Sequence, residues 1–222
     1  VSPVWPVPWP NNYGLWADEL ERAESGSGWG LSDCVLRRWD EVAFWGKREG
    51  RVLERAYVLL DNSAVLARLQ ARFLEAGGRV IVGLAKEARH DAASSRVVLE
   101  DAPDIIADLV IDATGHAPAL VHRDRSSRPG IQVAYGLRGT LAASSAPLEE
   151  MRLMDWRSAS GEDRADELSS PTFLYAMPLD GERGEVFFEE TSLAARPAMS
   201  IETCEAILIE RHDCRHRIGV RV

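Results

Sequence analysis

The stretch Ile105-Ile106-Ala107-Asp108-Leu109-Val110-Ile111-Asp112-Ala113-Thr114-Gly115 decides the fold. Its near-continuous apolar run predicts a strand buried on both faces, the pattern of a sheet covered by helices. It ends in Ala113, Thr114 and Gly115, small residues that let the backbone approach a ligand closely. Working back along the chain, Arg96–Leu99 and Arg79–Val82 read as strands. Before them Val65, Leu66, Leu69, Phe73 and Leu74 follow helical spacing behind the capping group Asp61-Asn62-Ser63, and Gly77-Gly78 supplies the stop. A helix over about 62–76, then strands, then the buried strand predict part of an α/β nucleotide-binding layer.

Downstream the pattern changes. Ile131–Leu137, Thr172–Met177 and Glu185–Glu189 read as strands of a more antiparallel sheet, with a hairpin signal at Asp180-Gly181. Ser158–Ser170 reads as a polar loop and Glu202–His212 as a helix. At the other end, residues 1–16 hold four prolines and three tryptophans, which forbids a helix interior. Trp5 reads as packing over a core edge. Trp9 reads either that way or as a membrane-interface anchor.

The 222 residues, 45% of them hydrophobic, suffice for one large or two modest domains with a sizeable core. Lys+Arg 26 against Asp+Glu 35 gives a net charge of -9, which disfavours nucleic acid and general attraction to anionic lipid. Cys34, Cys204 and Cys214 form an odd set without a CxxC pair, so neither a disulfide framework nor a zinc site is expected and a reducing compartment fits. No apolar run approaches the roughly 18 residues of a membrane span. The first residue is Val1 and no leader pattern follows it, which reads as a processed terminus or an internal fragment.

Few residues carry an obvious chemistry. Gly26-Ser27-Gly28-Trp29-Gly30 lacks the GxGxxG spacing and reads as a flexible connector. His90, His116 and His122 are scattered. His212 and His216 share a helical face, but Arg211, Arg215 and Arg217 oppose a cation there, and no metal site is expected. Glu189-Glu190 closes an apolar strand, and alternation sends one carboxyl to the face of Phe187 and the other to that of Phe188. A carboxyl among aromatics loses hydration and becomes a proton donor near neutral pH, whereas a strand-end pair facing solvent is the plainer alternative. Asp155-Trp156-Arg157 reads first as a structural Asp–Arg pair.

Six segments taken in order resemble the plant and cyanobacterial type of lycopene cyclase. They are Trp9–Trp16, Asp108–Gly115, Gly130–Gly136, Leu153–Arg157, Pro171–Pro178 and Phe187–Leu193. The resemblance implies a mixed α/β chain with a partial FAD/NAD(P)-binding, Rossmann-like flavoprotein fold and an antiparallel substrate-binding sheet. It implies an internal fragment that lacks the amino-terminal GxGxxG unit and the carboxy-terminal return. Within it, 1–50 would be a lead-in on the substrate-pocket side, 51–130 part of the cofactor domain, and 131–222 the substrate sheet with the start of a helix. A basic residue that many relatives place near the start of the central helix is here Asn62.

The activity implied is redox-neutral, acid-catalysed closure of the linear ends of lycopene into β-ionone rings, an isomerase reaction in carotenoid biosynthesis. Reduced FAD is implied as cofactor, with NADPH as reductant and no metal. The family's Phe-Leu-Glu-Glu-Thr motif falls on Phe187–Thr191 with Phe188 in place of Leu, making Glu189 the acid and Glu190 its support. Met154–Arg157 matches unchanged, followed by Ser158 where plant members carry Asp, and supplies Asp155 as a further catalytic carboxylate. Trp156, Arg157, Phe173, Tyr175 and Phe188 would line the substrate site, while Ala113, Thr114 and Gly115 would meet the cofactor. Lycopene and other linear carotenes are the implied partners, with peripheral contact to membrane lipid in a bacterial or plastid setting. The alternatives are a related FAD-dependent carotenoid-modifying enzyme or monooxygenase, and a non-catalytic carotenoid-binding remnant.

Overall fold

The structure is a computed structural model that describes residues 9, 13–115, 118–121, 129–142, 148–158, 171–180 and 184–215, the side chains of 212–215 excepted. In chain order the elements are β1 (Gly14–Trp16), α1 (Ala17–Ser27), a 3-10 turn (Leu31–Cys34), β2 (Val35–Trp39), β3 (Val42–Trp45), β4 (Gly50–Leu53) and β5 (Tyr57–Leu60). Then follow α2 (Asn62–Glu75), β6 (Ala85–His90), β7 (Ser95–Leu99), β8 (Ile105–Ala107) and β9 (Ala134–Thr140). The last are β10 (Arg152–Asp155), β11 (Thr172–Asp180), β12 (Glu185–Ser192) and α3 (Ile201–Arg215).

The chain divides into two units. One comprises Val1–Asn12, Trp29–Cys34 and Asp61–Ser127; the other comprises Tyr13–Gly28, Val35–Leu60 and Arg128–Val222. The division does not follow chain order: β4 and β5, expected with the cofactor part, pair into sheets of the second unit.

In the first unit α2 forms where its caps predict. The Asp61 carboxylate accepts from the Ser63 and Ala64 amides at 2.9 and 3.0 Å, satisfying two of the helix's orphan donors. At the other end Gly77 adopts φ +82°, and the amides of Gly77 and Gly78 donate to the carbonyls of Leu74 and Phe73 at 2.9 and 2.8 Å. This paired closure needs the left-handed glycine. Strands β6, β7 and β8 form an antiparallel sheet over a small core of Ala85, Val97 and Leu99.

Two expectations fail here. Val80, Ile81 and Val82 are not a strand and are exposed, because the chain first finds a pairing partner at Ala85. The strand expected over 105–112 ends at Ala107, and Leu109 and Ile111 are 75% and 79% exposed. The cause is pairing. β8 is an edge strand bonded to β7 alone, and within Asp108–Asp112 it is Val110 that packs onto the small core. A segment covered on one side buries alternate residues, not all of them.

The second unit carries a six-stranded sheet in the order β4-β3-β10-β11-β12-β9, antiparallel except for β3 beside β10. A second sheet, β1-β5-β2, is antiparallel throughout. Apolar residues at successive positions of β11 and β12, Phe173–Met177 and Val186–Phe188, give the large sheet two buried faces. Met177 and Phe187 pack on one face with Trp39, Val42, Leu59 and Met151. Leu174, Ala176, Val186 and Phe188 pack on the other with Leu148 and with Leu208 of α3.

Helix α1 has no counterpart in the sequence reading. It takes in Gly26 and Ser27 of the expected connector, and Gly28, at φ +59°, caps it by donating to the Glu24 carbonyl at 2.7 Å.

Candidate active site

The β11–β12 ladder sets the site. Tyr175 lies opposite Glu189, Met177 opposite Phe187, and Phe173 opposite Thr191; the intervening pairs are Leu174 with Glu190 and Ala176 with Phe188. Alternation therefore sends the two adjacent glutamates to opposite faces. Glu189 goes with Phe187 to the aromatic face. Glu190 goes with Phe188 to the face covered by α3.

Glu189 is half-buried, and the Thr191 hydroxyl donates to its Oε1 at 3.0 Å. Among the described residues it forms no ion pair. Burial pushes its carboxyl above the ordinary range, and the Thr191 hydrogen bond only partly opposes that. Around it runs an aromatic column joined edge to face. Trp16 and Tyr57 have centroids 5.3 Å apart, and Tyr57–Tyr175 and Tyr175–Phe187 are each 6.5 Å apart. The Tyr57 and Tyr175 hydroxyls each shift the other's ionisation. Burial first, then the neighbouring hydroxyl and the Glu189 charge, hold the Tyr175 phenol far from ionising. Phe173, further along the same face, packs on Trp156 at 4.9 Å. A neutral carboxylic acid flanked by π-faces can deliver a proton to an apolar substrate and stabilise the cation that results.

The other carboxylates are held differently. Glu190 is fully buried and receives both arms of the Arg211 guanidinium, Nε to Oε2 and Nη2 to Oε1, each at 2.8 Å. Arg211, 3% exposed, also donates through Nη1 to the carbonyl of Arg157. Asp155 is fully buried as well. It accepts from the Arg157 amide at 3.1 Å and Nε at 2.8 Å, and faces Arg152 at 3.5 Å. Burial raises its carboxyl, but the Arg157 hydrogen bonds and charge outweigh that and hold it below the usual range. The Arg157 guanidinium lies 4.0 Å over the Trp45 ring, and the Trp156 amide donates to the Trp45 carbonyl at 2.7 Å.

Of the expected substrate residues, Trp156, Phe173 and Tyr175 flank the Glu189 face, and Arg157 is engaged by Asp155. Phe188 lies on the opposite face with Leu208 and lines no part of it. Arg211 was missed in the sequence, where it stood only as a basic neighbour of His212. Its signal was there: Cys204, Leu208 and Arg211 follow the helical stripe spacing, and all three are buried.

In the first unit Ala113, Thr114 and Gly115 form a turn organised by Asp112. That carboxylate accepts from the Thr114 amide and hydroxyl at 2.9 and 2.6 Å and from the Leu120 amide at 2.9 Å, which lowers its pKa to about 2. Gly115 has φ +94°, a backbone conformation that favours glycine, with open space where a Cβ would stand. His90 hydrogen-bonds the Ser95 hydroxyl at 2.8 Å, while His116, His122, His216 and the His212 side chain lie outside the described residues. Among the described residues no cluster of His, Cys, Asp and Glu is arranged to hold a metal ion, and no helix is long and apolar enough to cross a membrane.

The profile of the lycopene cyclase protein family matches residues 1–222. The chain is 34% identical to lycopene beta cyclase, chloroplastic, of an Oncidium hybrid cultivar, covering 100% of this chain and 46% of that protein. It is also 34% identical to capsanthin/capsorubin synthase, chromoplastic, of Citrus sinensis, covering 96% of this chain and 41% of that one. The chain thus spans less than half the length of these relatives. Among solved structures it resembles BrvH, a flavin-dependent halogenase from Brevundimonas sp. BAL3, with a TM-score of 0.59, 11% identity, and coverage of 94% of this chain and 54% of that one. That likeness shows a shared fold, a mixed α/β architecture like that of part of this flavin-dependent enzyme.

Proposed function

The chain belongs to the lycopene cyclase family, and we propose that it carries the acid of a lycopene cyclase that closes the linear ends of lycopene into β-ionone rings. The observation behind this reading is the placement of Glu189: half-buried beside an aromatic column, without an ion-pair partner among the described residues, in a chain matched to the family throughout.

In this reading Glu189 transfers its proton to a terminal alkene carbon. The alkene π pair forms the new C–H bond and leaves a tertiary cation. The π pair of a neighbouring double bond then forms the ring bond, and loss of a ring proton leaves the cyclic alkene. Atoms and electrons balance without oxidant, so the reaction is an isomerisation. After donation the Glu189 carboxylate faces the ring and accepts the departing proton, which restores the acid. Tyr57, Tyr175, Phe187 and the Trp156–Phe173 pair present π-faces to the cation. Asp155 and Glu190, engaged by arginines, act as supports of the pocket walls.

FAD, reduced by NADPH, would supply electron density that stabilises positive charge, and Ala113, Thr114 and Gly115 would be this chain's contribution to holding it. The flavin-dependent fold likeness and the open turn at Gly115 support that assignment. Lycopene and related linear carotenes are lipid-dissolved, so the protein draws its substrate through peripheral contact with a plastid or bacterial membrane. The chloroplastic relatives support the plastid-type setting.

The capsanthin/capsorubin synthase relative favours one second reading, a related carotenoid-modifying enzyme that acts on another end group through the same acid. Expression of the natural protein carrying this chain in lycopene-accumulating cells, beside its Glu189→Gln form, decides between them. Cyclic carotene from the parent and unchanged lycopene from the variant are expected. Unchanged lycopene from a folded, flavin-loaded parent would sink the cyclase reading, and cyclic product from both would displace Glu189.

A further inference from the structure

The β10–β11 ladder ends at Asp155, paired with Leu174 after a register shift that begins at Arg152. Beyond Asp155, the next residues carry Trp156, whose ring meets Phe173 on the Glu189 face. The backbone there is met by a side chain from α3: Arg211 donates to the Arg157 carbonyl through Nη1. The same guanidinium grips Glu190, next in sequence to Glu189, through Nε and Nη2 at 2.8 Å each. One buried planar fork thus spans the two segments that carry the acid and the aromatic wall beside it.

We propose that Arg211 is a positioning residue, holding the Trp156–Arg157 backbone and the Glu189–Glu190 strand at a fixed separation so that acid and aromatic wall meet the substrate together. This rests on the cyclase reading. Stability alone gives little reason for such a residue, since apolar side chains of similar volume replace buried ion pairs with neutral or favourable effect. A fork with three separate donors does what apolar packing cannot: it fixes a direction and a distance between two backbones. Lysine cannot reproduce it, because a single ammonium lacks the planar span from carboxylate to carbonyl.

The test uses the complete, flavin-loaded natural protein with lycopene in liposomes, and reads kcat, KM and melting temperature. Arg211→Met leaves Glu190 buried without its partner and lowers both stability and kcat. The double variant Arg211→Met with Glu190→Leu regains stability, while kcat stays down by about tenfold or more at little-changed KM, since loss of positioning near 1 Å costs up to a hundredfold. A double variant with parental kcat shows that Arg211 only fills space and overturns the proposal. Should the double variant fail to fold, Arg211→Lys decides: a folded protein with kcat reduced at unchanged KM supports positioning, and parental kcat overturns it. A flavin-loaded parent that leaves lycopene unchanged sinks the cyclase reading itself, and the positioning role with it.

Discussion

The two faces of the large sheet carry the same residue type at neighbouring positions and put it to opposite uses. On the aromatic face Glu189 has a hydroxyl donor and, among the described residues, no cation, and burial raises its pKa. On the helix-covered face Glu190 is gripped by both arms of Arg211. A carboxyl's chemistry is thus set by what the neighbouring layer supplies, an aromatic column in one case and a guanidinium in the other. The pleat does the sorting, since one step along β12 changes the face.

The sharpest way to break this contrast is to remove each carboxyl in turn. Glu189→Gln should leave the fold intact and cut turnover by roughly a hundred- to ten-thousandfold, the usual worth of a positioned acid, in a steady-state assay. Glu190→Leu should do the reverse in emphasis. Stranding the Arg211 charge in the interior should cost about 3–5 kcal/mol of stability, read from chemical denaturation.

The pH dependence sharpens the contrast further. With Glu189 as the proposed acid, turnover should fall as pH rises through that group's raised pKa. Stability linked to this group is fully present below the ordinary value of 4.5 and is lost as pH climbs through the raised one. The Thr191 hydrogen bond lowers that pKa, so Thr191→Val should move the alkaline limb of the rate profile upward. A limb that moves down would break the account. The smallest effect belongs to Tyr57→Phe, which keeps the ring contact to Tyr175 and removes the half-buried hydroxyl. A change of about 0.5–1.5 kcal/mol in stability and a few-fold change in rate are expected, the former by thermal melting.

Local signals were readable in the sequence, and cross-chain ones were not. The caps of α2 and the alternation of β11 and β12 lie within short stretches, so Asp61, Gly77 and the opposed faces of Glu189 and Glu190 could be read directly. Burial of Ile105–Asp112 could not, because an apolar run records a tendency and the partner that would cover it lies elsewhere in the chain. Leu109 and Ile111 show the result. Arg211 shows the converse. Its charge pointed to solvent, and only the meeting of α3 with β12, 21 residues apart, reveals a buried guanidinium. Phe188 failed for a simpler reason: membership of a motif says nothing of which way a side chain faces.

The ladder between β11 and β12 would lose little if β12 slid by a single residue, since backbone hydrogen bonds are indifferent to side-chain identity. Such a slip would carry Glu189 round to the face of Arg211 and Glu190 to the aromatic face, and would exchange Phe187 and Phe188 between the two apolar clusters as well. Alignment is therefore set by the side chains and not by the backbone ladder, because only the native alignment seats Phe187 beside Met151 and Met177 and Phe188 beside Leu208.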